Sequence, residues 1–222
     1  MQKFDTPTPI TAILDIPAGH IRLIAADRTD TTVEILPADP TKNRDVKAAE
    51  QTTTEYRDGT LRIKTTATNQ LLGPSGSLEV TIQLPADSHL QTKAASADLR
   101  AVGRLGDVTV ETAHGPIKLD ETTAAHLTTL AGDITVGRLT GPADITTAKG
   151  DIRITQAVRG TLTLRTEAGN ISIDTAPGVS ATLDAGTSYG RIHNALNNTE
   201  GTAAQLTIHA TTAYGDITAR SL

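Results

Sequence analysis

One phrase constrains what this chain can fold into more than any other feature. A threonine, two variable residues, a glycine, one more variable residue and an isoleucine return six times in its second half. The copies are set on Thr112, Gly115 and Ile117; Thr129, Gly132 and Ile134; Thr147, Gly150 and Ile152; Thr166, Gly169 and Ile171; Thr187, Gly190 and Ile192; and Thr212, Gly215 and Ile217. Successive glycines lie 17, 18, 19, 21 and 25 residues apart, a spacing that marks stacked repeats. A weaker copy, AASADLRA, carries Ala97 in the glycine slot, which makes about seven turns.

Within each copy the apolar residues alternate. The second residue after glycine is always Ile, the fourth is Leu119, Val136, Ile154, Ile173, Asn194 or Ala219, and the residues between are mostly polar. Two and four places before each threonine stand further apolar columns, such as Val110, Leu127, Ile145 and Leu164. A period of two with one apolar face is the signature of a half-buried strand, so each repeat supplies two strands and two turns. The expectation is an all-β fold: a flattened parallel β-solenoid with about 18-residue turns and two strands per turn. Equivalent side chains would then sit ~4.8 Å apart along the stack. A single turn cannot bury its apolar face, but several stacked turns can. On this reading the glycine provides backbone freedom at a tight turn, and the threonine hydroxyl bonds a turn backbone group while its methyl packs inward. Both roles are structural.

Residues 1–90 share the β character without the strict phrase, and are expected to form an N-terminal β-rich cap continuous with solenoid repeats over 91–222. HIRLIA, TTVEIL, TLRIKT and SLEVTIQL read as strands in antiparallel hairpins that cover the first turn, whereas PADPTKNRDVKAAEQ and TNQLLGPSG read as loops.

Composition limits the function. A net charge of −5 without any Lys/Arg block excludes the electrostatic footprint of a nucleic-acid binder. No cysteine is present, so no disulfide framework or thiolate chemistry exists. The opening MQKFDTPTPI is not a charged region followed by an apolar run, and no stretch approaches the ~20 apolar residues of a membrane helix, so a cytoplasmic location without membrane insertion is expected. The acidic residues after glycine, Asp133, Asp151 and Asp216, suggest a cation ladder, but Pro116, Asn170 and Arg191 interrupt it and turn capping is the expected role. Six histidines show no metal-ligand spacing, and no nucleophile, base and acid can be grouped, so no catalytic residue, cofactor or metal is assigned.

A β-rich opening, a Leu84-Pro85 step and repeated G-[DN]-[IV]-x-[VIL] phrases resemble the bacterial β-strand-repeat family of unknown function often given the label putative adhesin. The resemblance implies a repeat fold with a binding or envelope-related role and supplies no catalytic residues.

Candidate contact residues come from departures within the repeat. Tyr189 and Tyr214 occupy the slot before glycine in the last two copies, and Asn197 and Asn198 lie in the insertion that widens the last interval to 25 residues. The expected function is a non-enzymatic structural or protein-interaction scaffold. Its partner would be another protein, or a second copy docked on an open solenoid end formed by the final phrase, GDITARSL. A carbohydrate-binding or surface-adhesion protein gripping a glycan through the tyrosines is the alternative, and a self-assembling scaffold like the bactofilins a third.

Overall fold

The computed structural model describes residues 1–66 and 76–222. The expected TNQLLGPSG loop, all but its last glycine, lies outside the described residues. The chain divides into two compact units, Met1–Gly115 and Pro116–Leu222. Both are nearly all β and solenoid-like, as the repeat requires.

Unit 1 contains strands β1 (Gln2–Asp5), β2 (Thr11–Ala26) and β3 (Asp30–Pro37), helix α1 (Asn43–Glu50), and strands β4 (Thr52–Arg57), β5 (Thr60–Thr65), β6 (Leu78–Pro85) and β7 (His89–His114). The four strands expected from the sequence are present, and β2 is longer than HIRLIA indicated. It is a solenoid turn in its own right. Its first half runs parallel to β5 and β7, pairing Leu14 with Ile63 and Thr92, and its second half runs parallel to β6 and β7, pairing Ile21 with Val80 and Leu99. The antiparallel pairs are β1 with β3, β3 with β6, and β4 with β5. Along β2 the residues alternate between buried and accessible, and Leu14, Ile21 and Leu23 are fully enclosed.

Helix α1 corrects the expectation that PADPTKNRDVKAAEQ is a loop. Residues 47 to 50, Lys-Ala-Ala-Glu, are good helix formers, and the buried face is Asp45 and Ala48, one turn apart. Asp45 is held by accepting the Ser77 backbone N–H at 2.9 Å. Eight residues with a carboxylate on the buried face leave no hydrophobic periodicity to read.

Unit 2 contains β8 (Ile117–Ala131), β9 (Ile134–Leu139), β10 (Ala143–Lys149), β11 (Ile152–Ala157), β12 (Gly160–Ala168), β13 (Ile171–Thr175), β14 (Ala181–Tyr189), β15 (Ile192–Ala195), β16 (Leu206–Tyr214) and β17 (Ile217–Ser221). All the ladders between its turns are parallel. The isoleucines form a single column, pairing Ile117 with Ile134, Ile134 with Ile152, Ile152 with Ile171, Ile171 with Ile217, and Ile217 with Ile192.

That order is not the order of the chain. The last turn, β16–β17, is inserted between β12–β13 and β14–β15, so β14–β15 occupies the terminal level of the stack. Two sequence expectations change as a result. Five of the six isoleucines are at most 1% exposed, but Ile192 is 46% exposed because among the described residues its strand is paired only with β17. The final phrase is not an open end either, because β17 is paired on one side with β13 and on the other with β15. Side chains lock it there: Arg220 donates to both carboxylate oxygens of buried Asp174, at 2.6 and 3.1 Å, and Thr175 Oγ1 donates to Ser221 Oγ at 3.2 Å. The Asp174 carboxylate raises the Arg220 pKa above its ordinary value through this hydrogen-bonded pair.

Candidate functional site

The three invariant residues of the phrase are consumed by the fold. A Cβ added to Gly150 would lie 2.2 Å from the Gly132 carbonyl oxygen, and one on Gly169, Gly215 or Gly190 would meet the glycine carbonyl of the next level at 2.0, 2.0 and 1.9 Å. The glycine is therefore required by backbone stacking as well as by the turn. In unit 1, Gly115 packs in the same way on Ala97, the residue read as the degenerate copy. The carbonyl that excludes a side chain is also the acceptor for the threonine. Thr147, Thr166, Thr212 and Thr187 donate their hydroxyls to the carbonyls of Gly132, Gly150, Gly169 and Gly215, at 3.4, 3.1, 3.0 and 3.0 Å. Thr112, in unit 1, donates instead to the carbonyl of His114 at 3.0 Å. Thr129 is buried within the same column.

The polar residue after glycine forms a second ladder. Asp133, Asp151, Asn170 and Asp216 each accept, through a side-chain oxygen, the backbone N–H of the corresponding residue one level on: Asp151, Asn170, Asp216 and Arg191, at 2.9, 2.7, 2.9 and 2.8 Å. Asparagine serves as well as aspartate because the task is to accept one hydrogen bond. The column ends at Arg191, on the terminal level. Among the described residues no group of three His, Asp or Glu side chains is placed to hold a metal ion.

Tyr189 and Tyr214 stand beside each other on adjacent levels, as their equivalent slots predict. Their rings are stacked with centroids 5.0 Å apart and planes 4° from parallel. They remain 69% and 61% exposed, so they shield each other rather than the core. Asn197 and Asn198 are elsewhere. The Asn197 carbonyl accepts the N–H of Ala181, at the opposite end of β14 from Tyr189, roughly 26 Å away at the rise of a strand. Asn198 Oδ1 accepts the Gly201 N–H at 2.7 Å and lies 3.3 Å from the hydroxyl of buried Ser180, which also accepts the N–H groups of Thr199 and Glu200. These asparagines and Ser180 fasten the segment that carries the chain from the terminal level back to the inserted turn. The structure does not bring the asparagines and tyrosines into one site.

Sequence reading missed a groove on unit 1, of about 350 Å³, over the outer face of β2 and its neighbours. Registered columns bring Glu79, His20 and Asp98 into one row and Thr81, Arg22 and Arg100 into the next. His20 Nδ1 is 3.5 Å from an Asp98 carboxylate oxygen. The alternation of each strand gave the outward direction of these residues, but the row needs β2 to sit between β6 and β7, a pairing with no local signal. The groove is shallow and charged with both signs, suited to polar contact with another surface.

A family model described as Toastrack DUF4097 matches residues 14–221. Among solved structures, the chain is similar to one described as a putative adhesin from Bacteroides fragilis NCTC 9343, at 11% identity and a TM-score of 0.49, covering 98% of this chain and 95% of that one. It is also similar to one described as a putative cell adhesion protein from Clostridium sporogenes ATCC 15579, at 9% identity and a TM-score of 0.43, covering 100% and 98%. No curated protein matches the chain.

Proposed function

The chain belongs to the Toastrack DUF4097 family, and from that premise we propose that it works as a non-enzymatic scaffold whose sheet faces hold a protein partner. One observation carries this reading. The recurrent polar groups that would be the first candidates for chemistry are spent on holding one turn to the next, threonine hydroxyls on glycine carbonyls and Asp or Asn oxygens on backbone N–H groups. What remains outside is a set of mixed polar columns on a rigid frame, such as Asp144, Thr163, His209 and Asp184 in register across four levels. Such a surface recognises shape and charge pattern. Among the described residues no helix is long and apolar enough to cross a membrane. The cytoplasmic setting expected from the sequence is part of the same proposal.

The test is affinity capture with the immobilised chain from a lysate of the source cells, repeated with Arg22→Glu and Arg100→Glu. A protein that is retained by the wild type and released by the double variant supports the scaffold reading. Turnover of a small-molecule library by the purified chain would contradict it.

The exposed tyrosine stack favours a second reading, a carbohydrate-binding protein, because the outer face of Tyr189 is a flat aromatic surface of the kind sugars pack against. Binding on a glycan array that disappears in both Tyr189→Ala and Tyr214→Ala would establish it in place of the first.

A further inference from the structure

The terminal level of unit 2 has an edge that the fold leaves unfinished. β14 is nine residues long, contains no proline and carries a single charge, Asp184. Its one ladder among the described residues is with β16. Edges of this length are ordinarily shortened, charged, interrupted by proline or covered. The return segment covers only the start of β14, where the Ala181 N–H donates to the Asn197 carbonyl. At the far end the Tyr189 carbonyl is turned inward to the Gly215 N–H. Ser180 and Ala181 fix the alternation between these limits: the Ser180 carbonyl faces β16 by accepting the Leu206 N–H, and the Ala181 N–H faces away. Leu183, Ala185 and Thr187 therefore direct their backbone N–H and C=O groups outward, toward a next level that the described residues do not supply.

We propose that this level is supplied by a second copy of the chain. Two molecules join through β14, antiparallel, about a two-fold axis at Ala185. The free segment is symmetric about that residue, and the sequence is complementary to itself in this register. Leu183 faces Thr187 of the other copy, Ala185 faces Ala185, and Asp184 faces Gly186. The strand's one charge thus meets no like charge directly opposite. A Cβ on Gly186 would have nothing within 4 Å, so room exists beside the incoming carboxylate. The half-buried Leu183 and Ala185 end two inward columns, Leu162–Ile208–Leu183 and Leu164–Ala210–Ala185, and the second copy would cover both. An isologous contact of this kind closes after two molecules and does not propagate. The inference rests on the scaffold reading and adds to it a defined self-contact.

Gly186 provides the test, because in this register a side chain placed there stands directly opposite Asp184 of the other copy. Sedimentation equilibrium should find the wild-type chain at twice its 23.2 kDa mass at high micromolar concentration. Gly186→Lys should tighten the dimer about fivefold by pairing with Asp184, and Gly186→Glu should weaken it about fivefold. The chain has no native cysteine, so Asp184→Cys combined with Gly186→Cys should give a disulfide-linked dimer in an oxidised sample, since residues facing each other in a non-hydrogen-bonded antiparallel pair have Cα atoms about 4.5 Å apart. A monomeric wild type would overturn the proposal, and so would a dimer that shifts in the same direction, or not at all, with the two charges. Either result leaves partner capture on the sheet faces as a separate question.

Discussion

At the scale of single residues, the recurrent phrase is one backbone arrangement repeated. The glycine lets one turn settle directly on the carbonyl of its neighbour, and the threonine then donates to that same oxygen. Adding one methyl group therefore has very unequal consequences at two glycines of the same chain. Gly150→Ala places a Cβ 2.2 Å from the Gly132 carbonyl at a φ of +148°, and should cost about 2 to 4 kcal/mol. Gly186→Ala has nothing within 4 Å and should change stability by less than about 0.5 kcal/mol. Urea denaturation of the two variants checks this; equal midpoints would show that the glycine column is not held by close stacking. Isoleucine shows the same dependence on level. Ile217→Ala removes a side chain with no exposure and should cost about 3 kcal/mol, while Ile192→Ala, on the terminal level and 46% exposed, should cost about 1 kcal/mol. A larger loss at Ile192 than at Ile217 would contradict the order of the stack.

At the scale of elements, unit 1 is tied together by carboxylates whose titration gives a direction for acid sensitivity. Asp30 on β3 accepts from Arg28 and pairs with Lys3 of β1, and these partners lower its pKa from 3.8 to about 2. Asp39, ahead of α1, is lowered to about 2 by hydrogen bonds from Thr41 and Lys42, and the Arg104 guanidinium lowers Asp87. A carboxyl whose folded pKa is depressed contributes stability that is present above its unfolded value and is lost as pH falls through the folded one. The melting temperature should accordingly fall as pH drops from about 4 to about 2, with a smaller fall in Asp30→Asn and Asp39→Asn. Circular dichroism melts measure this, and an unchanged midpoint across that window would remove these contacts from the account. The strands themselves were legible from the sequence because alternation survives wherever one face is buried. Helix α1 was not, since its buried face is one carboxylate and one alanine. Nor was the role of Asn197 and Asn198, which an unusual repeat interval marked as a contact loop and which hold the chain's return path.

At the scale of the whole chain, the repeat identified the architecture but not the order of its last two turns. The reason is physical: β14 and β16 carry the same phrase, so either would meet β12 in the same register, with Leu183 or Ile208 against Leu162 and Thr187 or Thr212 against Thr166. The preference follows from what each turn can bury. β16–β17 brings Ile208, Ala210, Ile217 and Ala219, all without exposure, to the inner level. β14–β15 brings Asn194 and Arg191, which belong at a surface. The 25-residue interval and the polar Asn194 in an inward slot were the traces of this inversion in the sequence. The most direct measurement of the stack is disulfide trapping between outward positions of neighbouring levels, in a chain with no cysteine of its own. Thr163 is registered with His209, and His209 with Asp184, so Thr163→Cys with His209→Cys spans one level, ~4.8 Å, whereas Thr163→Cys with Asp184→Cys spans two. The account predicts that the first pair closes within one molecule and the second does not. Closure of the second pair, or of neither, would contradict it.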